Sequence, residues 1–141
     1  MEKIKFFDDN GKKIINFRLL DEEAEKIAQS LFFVSGRNKN GVSSSQLRKF
    51  FYEIKSLEKK YDYEKNWDTV KPLVKMIKSK VAYANTEKKV GRFNKPYYDK
   101  FTEFINAGIY SIEDEKDLKA FSKMFEAVVG FYYGLGGDSV K

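Results

Sequence analysis

The sequence contains no cysteine and no histidine in 141 residues. Without cysteine it can form neither a disulfide nor a thiolate metal site. Without histidine it lacks the commonest metal ligand and the commonest general base. Nothing in it approaches the roughly eighteen consecutive apolar residues that a membrane span needs. The opening MEKIKFFDDNG is charged and lacks the apolar stretch of a signal peptide. Together these absences predict a cytoplasmic chain with no membrane contact, no cofactor, no metal and no catalytic residues.

What is present is apolar and basic. With 42% apolar and 16% aromatic residues, the chain has material for one core, and residues 1–141 are expected to form one domain. The formal charge of +6 is unevenly spread. Residues 1–36 hold six Lys and Arg against seven Asp and Glu, residues 37–92 hold fifteen against six, and residues 93–141 hold six against eight. The positive potential therefore belongs to the middle of the chain, which points to an acidic partner, with nucleic acid the first class to consider. Because 23 of the 27 cations are Lys, a solvated helical surface accounts for the same numbers.

Along the chain, IKFFDDNGKKIINF sets Asn10 and Gly11 between two apolar patches, a turn signal that suits a hairpin lying on the rest of the fold. From Asp21, a candidate N-cap, DEEAEKIAQSLFFV places Ala24, Ile27, Ala28, Leu31 and Phe32 on one face of a helix predicted to end near Gly36. SGRNKNGVS then reads as a flexible basic loop with Arg37 and Lys39. A second helix opens at Ser43, which stands three residues before Gln46 as in a capping box, and buries Leu47, Phe50, Phe51, Ile54, Leu57 and Tyr61. A third runs from Trp67 or Asp68 to about Asn85, with Pro72 in its first turn and Val70, Leu73, Val74, Ile77, Val81 and Ala84 as its stripe. NTEKKVGR interrupts the pattern. A fourth helix begins near Pro96 and draws its core from Tyr97, Phe101, Phe104, Ile105 and Ile109. A fifth begins after Ser111 and carries Leu118, Phe121, Phe125, Val128, Tyr132 and Leu135 until Gly136 and Gly137 stop it. The predicted fold class is all-α, a single bundle of about five helices with a short irregular or hairpin-like N-terminal segment.

Two cationic ridges lie beside these stripes. Arg48, Tyr52, Lys55 and Lys59, with Lys49 adjacent, share one face of the second helix, and Lys71, Lys75 and Lys78 share one face of the third, with Lys80 around the corner. Ridges flanking one core can form a groove for a phosphate backbone, and Tyr52 can stack on a base if the strand is single. GVSSS at the second helix start can hold an anion, but it lacks the Gly-Lys-Ser/Thr ending of a P-loop, and capping explains its serines. GLGG follows a helix where a nucleotide loop should follow a strand. Glu113, Asp114, Glu115 and Asp117 read as the ordinary acidic first turn of the last helix. Off the stripes stand Tyr52, Tyr63, Trp67 and Tyr133, which suit a subunit interface or a base contact.

Three segments together resemble the small subunit of the type III-A CRISPR interference complex, the Csm complex. SSSQLRKFFYEI is similar to that family's second-helix signature, VAYANTEKKVGRF to its later apolar-aromatic-Ala run followed by Gly-Arg, and FSKMFEAVVGFYYGLGGD to its closing helix; FFDDNG followed by LLDEEAEKIA fits its usual start. The resemblance implies an all-helical, non-catalytic subunit of antiviral defence. It implies that several copies stack beside the path where guide CRISPR RNA pairs with target RNA. It also implies contacts with neighbouring small subunits, with the large polymerase-like subunit and with the RNA-cleaving backbone subunit. Arg48 and Arg92 match the family positions for backbone-binding residues, and the third-helix lysines are additions to that set. NTEKKV, which separates Ala84 from Gly91, departs from the family pattern and displaces Arg92.

Self-association, as a homodimer when isolated, is a further expectation from the aromatic surfaces. The rival from a different class is a helical module that binds proteins only, its lysines merely solvated. An enzyme built from carboxylates and lysines is a third, with few candidate residues.

Overall fold

The computed structural model describes residues 2–141 and is mostly helical. Its first feature is a hairpin-like turn in the N-terminal segment, as expected. Phe7 and Ile15 form a single antiparallel bridge, and the Asp9 carboxylate accepts from the Lys13 and Ile14 amides at 3.0 and 2.8 Å. That carboxylate binds the turn from inside, with Lys12 in the left-handed region at φ 55°. A 3₁₀ turn, Phe17–Leu20, follows.

Helix α1, Glu22–Ser30, ends earlier than its apolar pattern predicts. The residues beyond it, read from sequence as helix end and flexible loop, form a two-stranded hairpin of β1, Phe32–Ser35, and β2, Asn38–Gly41. Tertiary contacts explain the difference. Phe32 packs edge-on against Tyr132 at 5.4 Å, and the Gly41 amide donates to Asn94 Oδ1 at 2.9 Å. Gly41, at φ 147°, leaves no room for a Cβ against the Phe32 backbone, so the strand end needs glycine.

Helix α2, Ser44–Glu64, starts as its capping signal predicts: Ser43 Oγ accepts from the Gln46 amide at 3.3 Å. It stops at Lys65, another left-handed residue. Helix α3, Trp67–Ala84, is capped by Asn66, whose side chain accepts from the Asp68 amide at 3.1 Å. Because α3 starts at Trp67, Pro72 lies in its second turn and not its first; the missing amide leaves the Asp68 carbonyl to solvent on an exposed face. A short helix α4, Glu87–Val90, fills the expected interruption. Helices α5, Lys95–Ser111, and α6, Glu115–Gly134, complete the set, and a final 3₁₀ turn spans Gly137–Ser139.

The long helices close a ring in which α1 packs on α6, α6 on α2, α2 on α3, α3 on α5 and α5 on α1. Its centre is aromatic. Phe125 contacts the rings of Phe51, Phe101, Phe104 and Phe121 at centroid distances of 5.5, 6.2, 5.3 and 6.0 Å. Such tilted and edge-on pairs add to the burial of each ring. Gly108 lets α5 approach Phe121 so closely that a Cβ would overlap the ring. Tyr132 is fully buried, its hydroxyl donating to Val42 O at 2.7 Å, and burial pushes its acidity far below that of an exposed phenol. Leu73 and Leu135, both expected in the core, are exposed. Among the described residues no helix is long and apolar enough to cross a membrane.

Candidate nucleic-acid interface

Helical spacing brings Arg48, Tyr52, Lys55 and Lys59 to one face of α2, and the side contacts show where that face lies. Lys55 Nζ reaches Glu126 of α6 at 3.3 Å and Glu58 at 3.7 Å, so the ridge leans toward α6. On α3, Lys75 Nζ donates to Ile109 O of α5 at 3.3 Å, which puts the Lys71, Lys75 and Lys78 stripe on the flank turned to α5. Lys80 points the other way and pairs with Glu53 of α2 at 3.0 Å. The two ridges therefore do not face each other across one groove. They run along the outer edges of the α2–α3 pair, with the Lys80–Glu53 bridge over the seam between.

Pairing sorts the cations. Lys55 and Lys80 are matched by carboxylates, and Lys75 is tied to a backbone carbonyl. Arg48, Lys49, Lys59, Lys71, Lys78 and Arg92 are exposed and make no ion pair among the described residues. Lys49 lies 5.6 Å from the Phe50 ring centroid, and the Arg92 guanidinium lies 5.0 Å from that of Phe93. Among the described residues, four of the six acids of residues 37–92 are occupied, and Asp68 and Glu87 are not. Besides Glu53 and Glu58, Asp62 accepts from Lys119 at 2.8 Å and Glu64 from Lys60 at 2.5 Å. Those lysine contacts lower both carboxyl pKa values. Unmatched cations are thus left on the outer flanks of α2 and α3.

The off-stripe aromatics divide. Tyr52 and Tyr63 are exposed, at 62% and 90%, whereas Trp67 and Tyr133 are half-buried against Tyr61 and Tyr132. Sequence reading missed Tyr83 and Phe93, exposed at 67% and 70%. Tyr83 sits two residues after Val81 and one before Ala84, off the core stripe of α3, and that offset was the signal available.

Sequence reading also missed the role of Lys12. Its Nζ lies 2.7 Å from Asp114 and 3.0 Å from Asp117, so the acidic first turn of α6 serves as an anchor for the N-terminal turn. Burial pushes the Asp114 carboxyl up, but the bond from Lys12 and the Asp117 amide outweigh it and hold the pKa below the ordinary range. Burial likewise opposes the Lys12 charge, and the two carboxylates overcome it.

A family model described as Csm2 Type III-A matches residues 15–137. No curated protein and no solved structure matches.

Proposed function

The chain belongs to the Csm2 type III-A family of Csm-complex small subunits, and from that premise we propose that it is a non-catalytic subunit holding the backbone of guide and target RNA. The observation that carries this reading is the set of unmatched cations, Arg48, Lys49, Lys59, Lys71, Lys78 and Arg92, in a region where four of the six acids, Glu53, Glu58, Asp62 and Glu64, are already paired. Exposed cations without partners contribute little to folding, whereas each one that meets a phosphate releases counterions and adds affinity without reading sequence. Tyr52 supplies a stacking surface beside Arg48, while Lys55, Lys75 and Lys80 join the site only by giving up their present contacts. The placement of the ridges on the outer edges of the α2–α3 pair suits a subunit that is one of several copies along a long duplex, contacting it from outside. Its neighbours are further small subunits, the large polymerase-like subunit and the RNA-cleaving backbone subunit, and its compartment is the cytoplasm. In isolation its exposed aromatics support a homodimer.

The test is a salt titration of single-stranded RNA binding, comparing the wild type with an Arg48, Lys78, Arg92 triple alanine variant of unchanged helicity. Contact with about four phosphates gives a slope of log affinity against log salt near −3, and the variant should flatten it. Absent binding, or equal slopes, removes these residues from the site and favours a module that binds proteins alone.

A further inference from the structure

A cavity of about 230 Å³ opens where the start of α2, the end of α3, α4 and the start of α5 meet. Gln46, Lys49, Tyr83, Lys89, Asn94 and Tyr98 are among the residues that line it, and its lining includes no aspartate or glutamate. We infer that this cavity is a subsite for one unpaired nucleotide of single-stranded RNA, with the base at Tyr83 and Gln46 and the phosphate at Lys49 and Lys89. The inference rests on the RNA-binding reading and adds base contact to it.

Four observations converge. The volume lies below the ~300–1,000 Å³ of pockets for larger ligands, which fits a single base and not an extended molecule. Gln46 lines the cavity, and its Oε1 is shut off from solvent with no hydrogen-bond partner, so a turn of the side chain toward the cavity exchanges an unpaired buried oxygen for a bond to the exocyclic amine of adenine, cytosine or guanine. Tyr83, which lines the cavity and is largely exposed, has Lys89 Nζ over its ring at 3.7 Å from the centroid. A base that stacks there displaces an exposed cation–π contact and sends the ammonium to the phosphate that accompanies the base. The walls, finally, are fixed. Asn94 accepts from the Gly41 amide and donates to Val90 O at 3.0 Å, and Tyr98 Oη accepts from the Ser43 amide at 3.4 Å. These bonds hold the hairpin end, α4 and the α2 cap around the space before any ligand arrives. The short helix α4 supplies Lys89, so the segment that departs from the family's sequence pattern builds one side of the site.

The experiment uses the full chain and two probes, adenosine 5′-monophosphate and ribose 5-phosphate, followed by backbone amide shifts in NMR. Adenosine monophosphate should shift Gln46, Tyr83, Lys89 and Asn94 saturably, with ribose 5-phosphate about tenfold weaker, because stacking contributes only when a base is present. Tyr83→Ala should abolish the difference, and Gln46→Leu provides a second variant should that one not fold. Equal response to the two probes overturns the base site, as does no response at the cavity. In parallel, an adenine oligonucleotide should bind about tenfold tighter than an abasic strand of equal charge. A preference for the adenine strand with an unaltered salt slope in the Arg48, Lys78, Arg92 variant keeps the cavity and rejects the ridges. A steep, variant-sensitive slope with no preference does the reverse.

Discussion

Lys12 and Lys78 are the same side chain in opposite circumstances. Lys12 is partly buried between two carboxylates and fastens the N-terminal turn to α6. Lys78 is exposed on α3 and has no carboxylate within reach. Lys12 is matched and gains stability from its two pairs; Lys78, like Arg48, Lys59 and Lys71, is unmatched, gains none, and stays available for an anionic partner. The chain carries +6 overall, so the useful distinction is which cations are paired, not how many there are.

The sharpest way to break the comparison is to remove what both regions stand on. Phe125→Ala deletes a ring that four other phenylalanines touch, and should destabilise the fold by about 3–5 kcal/mol in denaturant unfolding. The anchor and the α2–α3 surface should be lost in one transition. Two separate transitions would mean that the regions are independent units and that their difference says nothing about division of labour on one scaffold.

A smaller effect is expected at the anchor itself. Lys12→Met leaves Asp117 buried and Asp114 half-buried without their cation, at a cost of about 1–3 kcal/mol. The pH dependence follows from the two shifts. Asp114 is lowered from 3.8, so its contribution is full above that value and disappears as pH falls through the lower folded value. Lys12 is raised from 10.5, so its contribution is full below that value and disappears as pH rises through the higher folded one. The gap between wild type and variant should stay constant across neutral pH and close in strong acid. A gap that persists in acid would assign the loss to packing of the lysine stem.

The contrast between the regions was only half visible in the sequence. Stripes such as Val70, Val74, Ile77 and Val81 repeat at helical spacing, and burial follows them, so the long helices and the Ser43 cap could be read directly. The hairpin could not, because Phe32 becomes a strand residue through the Tyr132 ring and Gly41 through Asn94, partners far along the chain. For the same reason spacing identified both cationic ridges but not their separation. A helical repeat says which residues share a face; it does not say whether that face turns to α5 or to α2. Ion pairing is hidden too, since Lys80 and Lys78 look alike until Glu53 is placed beside one of them.

That last pair supports the finest test. Glu53→Gln retains the side-chain shape at the α2–α3 seam and removes the charge that holds Lys80. The pair is about half exposed on the lysine side, so stability should change by no more than about 1 kcal/mol. RNA binding should respond in the opposite sense to an ordinary loss of contact. A released Lys80 adds one unmatched cation to the surface, which steepens the salt slope by about 0.7 if it meets a phosphate of a single strand. Tighter, more salt-sensitive binding in a variant of unchanged stability would show that pairing decides which lysines of this surface can serve RNA. An unchanged slope would mean that position decides instead, and that the seam lies outside the path of the strand.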